Sequence, residues 1–429
     1  MLLTRVHGAP ALRVTALALA SFIAGCGGAS GPLPPDPNPT VSAASPLHSF
    51  RGTTIDIRVT GANFESGSRA VWRRHGTPDT AYATTRIKTI ATTIVSASEL
   101  LVSTTIETDA RLGRYDLMVV TPGSKVGVGS EMFELLLDIQ EVDLGAGDQS
   151  EANGVNAQGQ IVGTRTVGGV QHAFLWQNGT ITDLGLLPGM TYSQATDIND
   201  AGQVVGFSGL GTVESATSQL AFTWSAAGGL QPLSTLEGSV TYAHAISETG
   251  DIAGGSGGHG AIWQAGIITD IQASGTWDVN RHLEVVGWHD SRASRWTVSG
   301  GLQDLVFVGG TSTGLGNALG INDAGQIVGW RRLTGGAPRD AFLYSSSSSS
   351  VNLLGQLGLE GIAWAINNKG QVVGSATMGT QTAAFLWTEL DGPTLFGVAP
   401  GTDAVALSVN ESGWVVGFRA NRATLWKVK

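Results

Sequence analysis

The stretch Gly320–Trp330 reads GINDAGQIVGW, and Asp197–Phe207 repeats it almost letter for letter as DINDAGQVVGF. Acidic and amide side chains beside glycines raise the question of a cation or phosphate loop. In a calcium loop of the EF-hand type, Asp197, Asn199 and Gly202 would stand at positions one, three and six. Ala201 then falls at the fifth position and Ser208 at the twelfth, where the chemistry needs an oxygen ligand and a bidentate glutamate. Other copies put Gly154, Ala245, Gly320, Ala365 or Ser408 where Asp197 stands. A phosphate cradle needs a helix N-terminus behind its glycines, and the flanking Ile/Val patterns are those of strands. What recurs is an asparagine followed three residues later by glycine. That is turn chemistry: the amide bonds backbone N–H groups ahead of it, and glycine takes φ > 0 between antiparallel strands.

Working outward, seven copies occur: VNAQGQIVG from Val155, INDAGQVVG from Ile198, ISETGDIAG from Ile246, VNRHLEVVG from Val279, INDAGQIVG from Ile321, INNKGQVVG from Ile366 and VNESGWVVG from Val409. Their starts lie 43, 48, 33, 42, 45 and 43 residues apart. Such a period with strand chemistry predicts propeller blades. Each unit adds an aromatic-ended strand, such as HAFLW (His172–Trp176), and a short one, such as ITDLG (Ile181–Gly185), which makes four strands. The last unit stops at LWKVK without its fourth strand, while IQEVDLG (Ile139–Gly145) stands unpartnered before the first. That segment is expected to close a ring of seven blades over residues 138–429 and so remove the open edges. The recurring Trp176, Trp224, Trp263, Trp296, Trp387 and Trp426 are expected in the core. The D-L-G-x-L-x-G, A-x-x-I-N-x-x-G-Q-V-V-G and H-A-F-L-W patterns between Asp143 and Ser208 closely resemble the HAF family of extracellular repeats. The resemblance implies an exported repeat domain and no known reaction. The fourth unit departs most, with Leu283 where the turn glycine should be.

Before the repeats, Val41–Leu137 reads as short strands. TTIDIRVTGANF (Thr53–Phe64) alternates around Ile55, Ile57 and Val59, and IVSASELLVSTTI (Ile94–Ile106) and GRYDLMVVTPG (Gly113–Gly123) supply more. The placing of Pro46, Gly52, Gly61, Asn63, Phe64, Gly113, Tyr115, Asp116 and Phe133 resembles the IPT/TIG family of immunoglobulin-like domains, which implies a β-sandwich serving as spacer or binding module. The expected fold is therefore all-β, a small immunoglobulin-like β-sandwich followed by a seven-bladed β-propeller of four-stranded repeats.

The N-terminus reads as a processing segment. Arg5 and Arg13 precede an apolar run, Val14–Gly25, too short to span a bilayer as a stable helix. It ends in Ile23-Ala24-Gly25-Cys26, which resembles the lipobox of bacterial lipoproteins. The resemblance implies cleavage after residue 25 and a diacylglyceryl group on Cys26. Gly27–Thr40, rich in proline and glycine, then forms a tether over residues 26–40. Gly27 also departs from the aspartate associated with inner-membrane retention, which favours the outer membrane or cell surface.

Composition excludes several functions. The chain has one cysteine, which forbids an internal disulfide framework. Loss of Arg5 and Arg13 leaves 22 basic against 34 acidic residues, near −12, so no basic surface for nucleic acid is expected. His172, His244, His259, His282 and His289 match no zinc spacing, no G-x-S-x-G elbow occurs, and no cofactor, metal or catalytic set is expected. A propeller mouth could still gather His259, His282, His289 and Asp290. Aromatic residues carry the binding expectation. Phe207, Trp288, Trp330 and Phe418 share the place after the Val–Val–Gly glycine, and Trp277 and Trp364 the place three residues before the turn asparagine. On a propeller face such rings stack on sugars or hold an apolar group; between blades they only pack.

The expected protein is a monomeric, lipid-anchored cell-envelope binder or scaffold for a glycan, peptide or envelope-protein partner. A carbohydrate hydrolase or lyase is the competing class, and a structural part of an outer-membrane assembly a third. Replacing Cys26 with serine should release the protein from membranes or block its processing; unchanged lipid labelling of Cys26→Ser refutes the anchor.

Overall fold

The computed structural model describes residues 37–78, 85–212, 218–236, 240–307, 315–332, 338–345 and 350–429. Cys26, the leader, most of the tether and Ser346–Ser349 lie outside them. The described residues are all-β and form nine four-stranded sheets.

Two sheets make the N-terminal unit. One orders Thr40–Ser45, Thr54–Ala62, Glu99–Ile106 and Ile87–Ser96; the other His48–Phe50, Val126–Leu136, Gly113–Val120 and Arg69–Arg74. Alternation sends Ile57 and Val59 inward and leaves Asp56 and Arg58 outside. They meet Trp72, Leu100, Val102, Tyr115, Leu117 and Phe133 in one core, where Trp72 and Phe133 lie 5.3 Å apart.

The other seven sheets each take four consecutive strands, except the last. There Ala404–Val409, Trp414–Arg419 and Arg422–Val428 are completed by Ile139–Asp143, which lies antiparallel to the C-terminal strand with Trp426 opposite Glu141. First strands contact one another from sheet to sheet, and the seventh contacts the first, which makes a β-propeller ring. Seven apolar clusters fill the seven joints between neighbouring sheets. Trp263 and Trp426 are wholly buried and Trp176 nearly so, while Trp224, Trp296 and Trp387 are only half-buried against these clusters, less enclosed than their regular recurrence suggests.

The turn of the opening stretch explains how the ring is held. Asn322 is buried, and its Oδ1 accepts from Gln326 N at 3.0 Å and Ala324 N at 3.1 Å. Its Nδ2 donates to Gln326 Oε1 at 2.8 Å and, across the joint, to the carbonyl of Asn367 at 3.1 Å. The same cross-joint bond runs Asn156 to Asn199, Asn199 to Ser247, Asn280 to Asn322, Asn367 to Asn410, and Asn410 back to Asn156 at 2.8 Å. A second set uses the next residue: the amides of Ala157, Asp200, Arg281, Asp323 and Asn368 donate to the side chains of Asp200, Glu248, Asp323, Asn368 and Glu411. Between the third and fourth sheets, among the described residues, neither bond forms. Ser247 is too short to reach Asn280, and it bonds Thr249 and Asp251 of its own turn instead. That joint is also the one whose buried cluster contains no aromatic ring.

Two glycines per unit have separate reasons. Gly325 sits at φ 73°, and Leu283 takes the same left-handed conformation at 57° without glycine's freedom. Gly329 has no such need; a Cβ there would stand 2.0 Å from the carbonyl oxygen of Asn317. The first strand bulges at this point, with Leu319 as the extra residue between the paired Ala318 and Gly320, and the backbones come too close for a side chain.

The sandwich docks on the turn end of the ring. Arg51 Nη2 meets both carboxylate oxygens of Asp391, at 2.5 and 2.7 Å, and Asp391 also accepts from the amide of Leu112.

Substituting Asn410 by alanine removes the bond that closes the ring and orphans its turn, a loss of about 1–3 kcal/mol. Ser247→Asn supplies the missing link, and a gain of roughly 0.5–1.5 kcal/mol is expected. Thermal melts should move in opposite directions; two unchanged melting temperatures would show that the carboxamide ring carries no stability.

Candidate functional site

Every first strand of the ring carries a bulge at the same place, so one extra residue per sheet is turned into the channel mouth. These residues are Asn153, Thr196, His244, Trp277, Leu319, Trp364 and Leu407. They line a cavity of about 390 Å³ at the channel end opposite the turns, together with Asp197, Asp278, Gln194 and Phe207. A separate cavity at the turn end shares none of these residues.

His244 is one of the seven bulge residues at the mouth. Its ring stacks on Trp277 at 4.3 Å with 4° between planes, and Tyr242 lies 4.7 Å away on its own strand. Nδ1 donates to the carbonyl of Thr276 at 2.6 Å, which fixes the tautomer and leaves Nε2 as an acceptor. Burial pushes the imidazole down to about 4, so it is neutral near pH 7. This contact spans the joint that lacks both turn bonds. Asn153 and Thr196 make the equivalent reach to the carbonyls of Ala195 and Ala243. Trp364 Nε1 donates to Ser375, whereas the buried Nε1 of Trp277 meets no acceptor among the described residues.

Asp197 and Asp278 follow the bulges of the second and fourth sheets. Each accepts from the amide directly after it, at 2.8 and 2.7 Å, and from an amide of the next sheet, Ile246 or Ile321, at 2.9 Å. Enclosure in the ring pushes Asp197 up to about 7 and Asp278 up to about 6. The amide bonds oppose that rise, and the charge of Asp278 adds to it at Asp197. The mouth therefore offers flat aromatic faces, a neutral imidazole acceptor and two carboxyls that titrate near neutrality.

The six aromatic residues singled out by position separate here. Phe207, Trp277 and Trp364 line the mouth. Trp288, Trp330 and Phe418 do not. Trp288 packs its indole edge on Gly275 of its own sheet, where a Cβ would stand 2.4 Å from Nε1, and Trp330 lies under the guanidinium of Arg339 at 5.1 Å. Of the four histidine-site candidates only the neighbours His289 and Asp290 meet, at 3.8 Å. His259 faces Asp270, His289 faces Asp304, and His282 lies in a turn beside Arg281. Among the described residues no group of three or more His, Cys, Asp or Glu side chains could hold a metal ion. Sequence reasoning missed His244, Asp197 and Asp278; the available signal was how strongly the residues two and three places before the turn asparagine vary between otherwise similar repeats.

No family model and no curated protein matches the chain. Among solved structures it is similar to a catalytically inactive virginiamycin B lyase from Staphylococcus aureus with quinupristin, at 13% identity over 68% of this chain and 100% of the other, TM-score 0.47. It is also similar to an auxiliary nutrient binding protein from Bacteroides ovatus (13%, 93% and 100%, TM-score 0.34) and to the β-propeller domain of the Trilobed protease from Pyrococcus furiosus (7%, 91% and 95%, TM-score 0.31). Likenesses this loose carry no argument about function.

Carboxyls raised above their ordinary range stabilise the fold below about pH 4, and that contribution is lost as pH rises through 6 and 7. The ceiling for Asp197 is on the order of 4 kcal/mol, lowered by solvent that reaches the channel. The melting temperature should fall from pH 5 to pH 8, and the fall should shrink in Asp197→Asn. Equal slopes in both proteins would show that this carboxyl does not titrate in the interval.

Proposed function

We propose that the protein is a lipid-anchored cell-envelope binder, held by Cys26 on the outer membrane or cell surface, whose seven-bladed β-propeller presents its channel mouth to a glycan or peptide. The N-terminal unit is read as an immunoglobulin-like spacer of the IPT/TIG kind and the ring as HAF repeats. The observation that carries the reading is the mouth itself: Trp277, Trp364, Phe207 and His244 converge on one cavity of about 390 Å³, within the size range of small-molecule sites. Aromatic faces with a few fixed polar groups suit a sugar ring or a planar side chain. The docking of the sandwich supports the same reading. Arg51 and Asp391 meet at the turn end, so the aromatic end faces away from the spacer.

A carbohydrate-active enzyme is the second reading, and one observation favours it. Asp197, Asp278 and His244 share the cavity, with two carboxyls poised near neutrality as acid–base chemistry needs.

The test is a glycan and peptide array probed with the detergent-solubilised full chain. Binding should weaken at least about tenfold in Trp277→Ala, a loss of about 1.4 kcal/mol, and stay unchanged in Trp330→Ala. The opposite pattern moves the site off the mouth. Turnover of a bound oligosaccharide, lost in Asp278→Asn, would establish the enzyme reading instead.

A further inference from the structure

We infer that the channel mouth recognises an organic ammonium group, with the aromatic wall facing the cation and Asp197 and Asp278 supplying the countercharge. This deepens the binding reading of the same cavity and rests on it. Three features of the wall converge. The first is aromatic: Trp277, Trp364 and Phe207 line one cavity, and indole faces attract cations most strongly of the aromatic side chains. The second is the charge balance. Two carboxyls line the cavity, and no lysine or arginine does among the described residues. Neither carboxyl forms an ion pair among the described residues. Their partners are four backbone amides, which satisfy lone pairs but bring no net positive charge. The third is His244, which could have supplied a cation and does not. Its Nδ1–H is committed to Thr276, and burial keeps the ring uncharged.

A neutral sugar would leave the two carboxyls as they are, enclosed and mutually repelling. A ligand ammonium would face both at once and let them ionise. The same chemistry is carried by a quaternary ammonium head group and by a lysine side chain of a peptide, and the experiment separates these sources.

Calorimetric titration of the solubilised full chain at about pH 8, where the carboxyls are ionised, would use choline against its neutral tert-butyl isostere, and Nα-acetyl-lysine methylamide against its Nε-acetylated form. At least one cation should bind about tenfold tighter than its neutral counterpart. Asp278→Asn and Trp364→Leu should each weaken that cation about tenfold while melting curves keep a cooperative transition; Asp197→Asn replaces Asp278→Asn if the latter fails to fold. Preference for choline assigns a quaternary head group, and preference for the lysine derivative a peptide. Equal binding of cation and neutral isostere, or no cation binding at millimolar concentration, overturns the inference. Array ligands that still depend on Trp277 while both cations fail would remove only the ammonium, and an array without any ligand would remove the binding reading as well.

Discussion

A single carboxamide group, repeated around a circle, holds this molecule in its shape. Each turn asparagine satisfies its own hairpin through Oδ1 and its neighbour's backbone through one hydrogen of Nδ2. The second role is not available to aspartate, which has no donor, or to serine, whose Oγ serves its own turn but is too short to cross the joint. The group is buried at every position, so an unmade bond would carry the desolvation cost as well as the lost contact. Because Asn410 reaches Asn156 across more than two hundred residues, the circle closes only when all sheets are in place. Local turn chemistry and global closure are thus one interaction.

The bulge is the second constraint, and it separates scaffold from site. An extra residue in each first strand forces the facing backbones so close that the partner position must be glycine. This accounts for the last letter of the Val–Val–Gly motif. The extra residue itself is released from the ladder and turned into the channel. Seven positions of identical geometry then carry Asn, Thr, His, Trp, Leu, Trp and Leu. A constant frame with variable side chains at its mouth is how one repeat can serve different ligands.

Much of this was legible from the residues alone. Strand alternation around Ile57 and Val59 and the asparagine–glycine turns follow from local chemistry, and the rejection of a calcium loop at Ala201 agrees with the turn that Asn199 makes. What stayed hidden depends on distance. Asp197 looked like a loop carboxylate and Asp278 was not singled out, because their partners, Ile246 and Ile321, lie on neighbouring sheets. His244 looked isolated because Trp277 reaches it only across a joint. Trp288 and Trp330 shared a position with Phe207, yet small changes in their surroundings, Gly275 for one and Arg339 for the other, drew them away from the mouth. Leu283 shows the reverse case: the turn holds its geometry although the residue that suits it is missing.

Among the described residues, the joint between the third and fourth sheets lacks the asparagine bond, the amide bond of the next residue and a buried aromatic ring. His244 and Trp277 stand on its two sides and meet across it at the mouth, beside the bond from Thr276 Oγ1 to the carbonyl of Gly254. A ligand lying on that stack touches both lips of a seam without turn bonds, so it works as a rivet as well as a cargo. Occupancy and ring integrity are then linked quantities: whatever free energy the mouth gains from its ligand is also withheld from opening the circle.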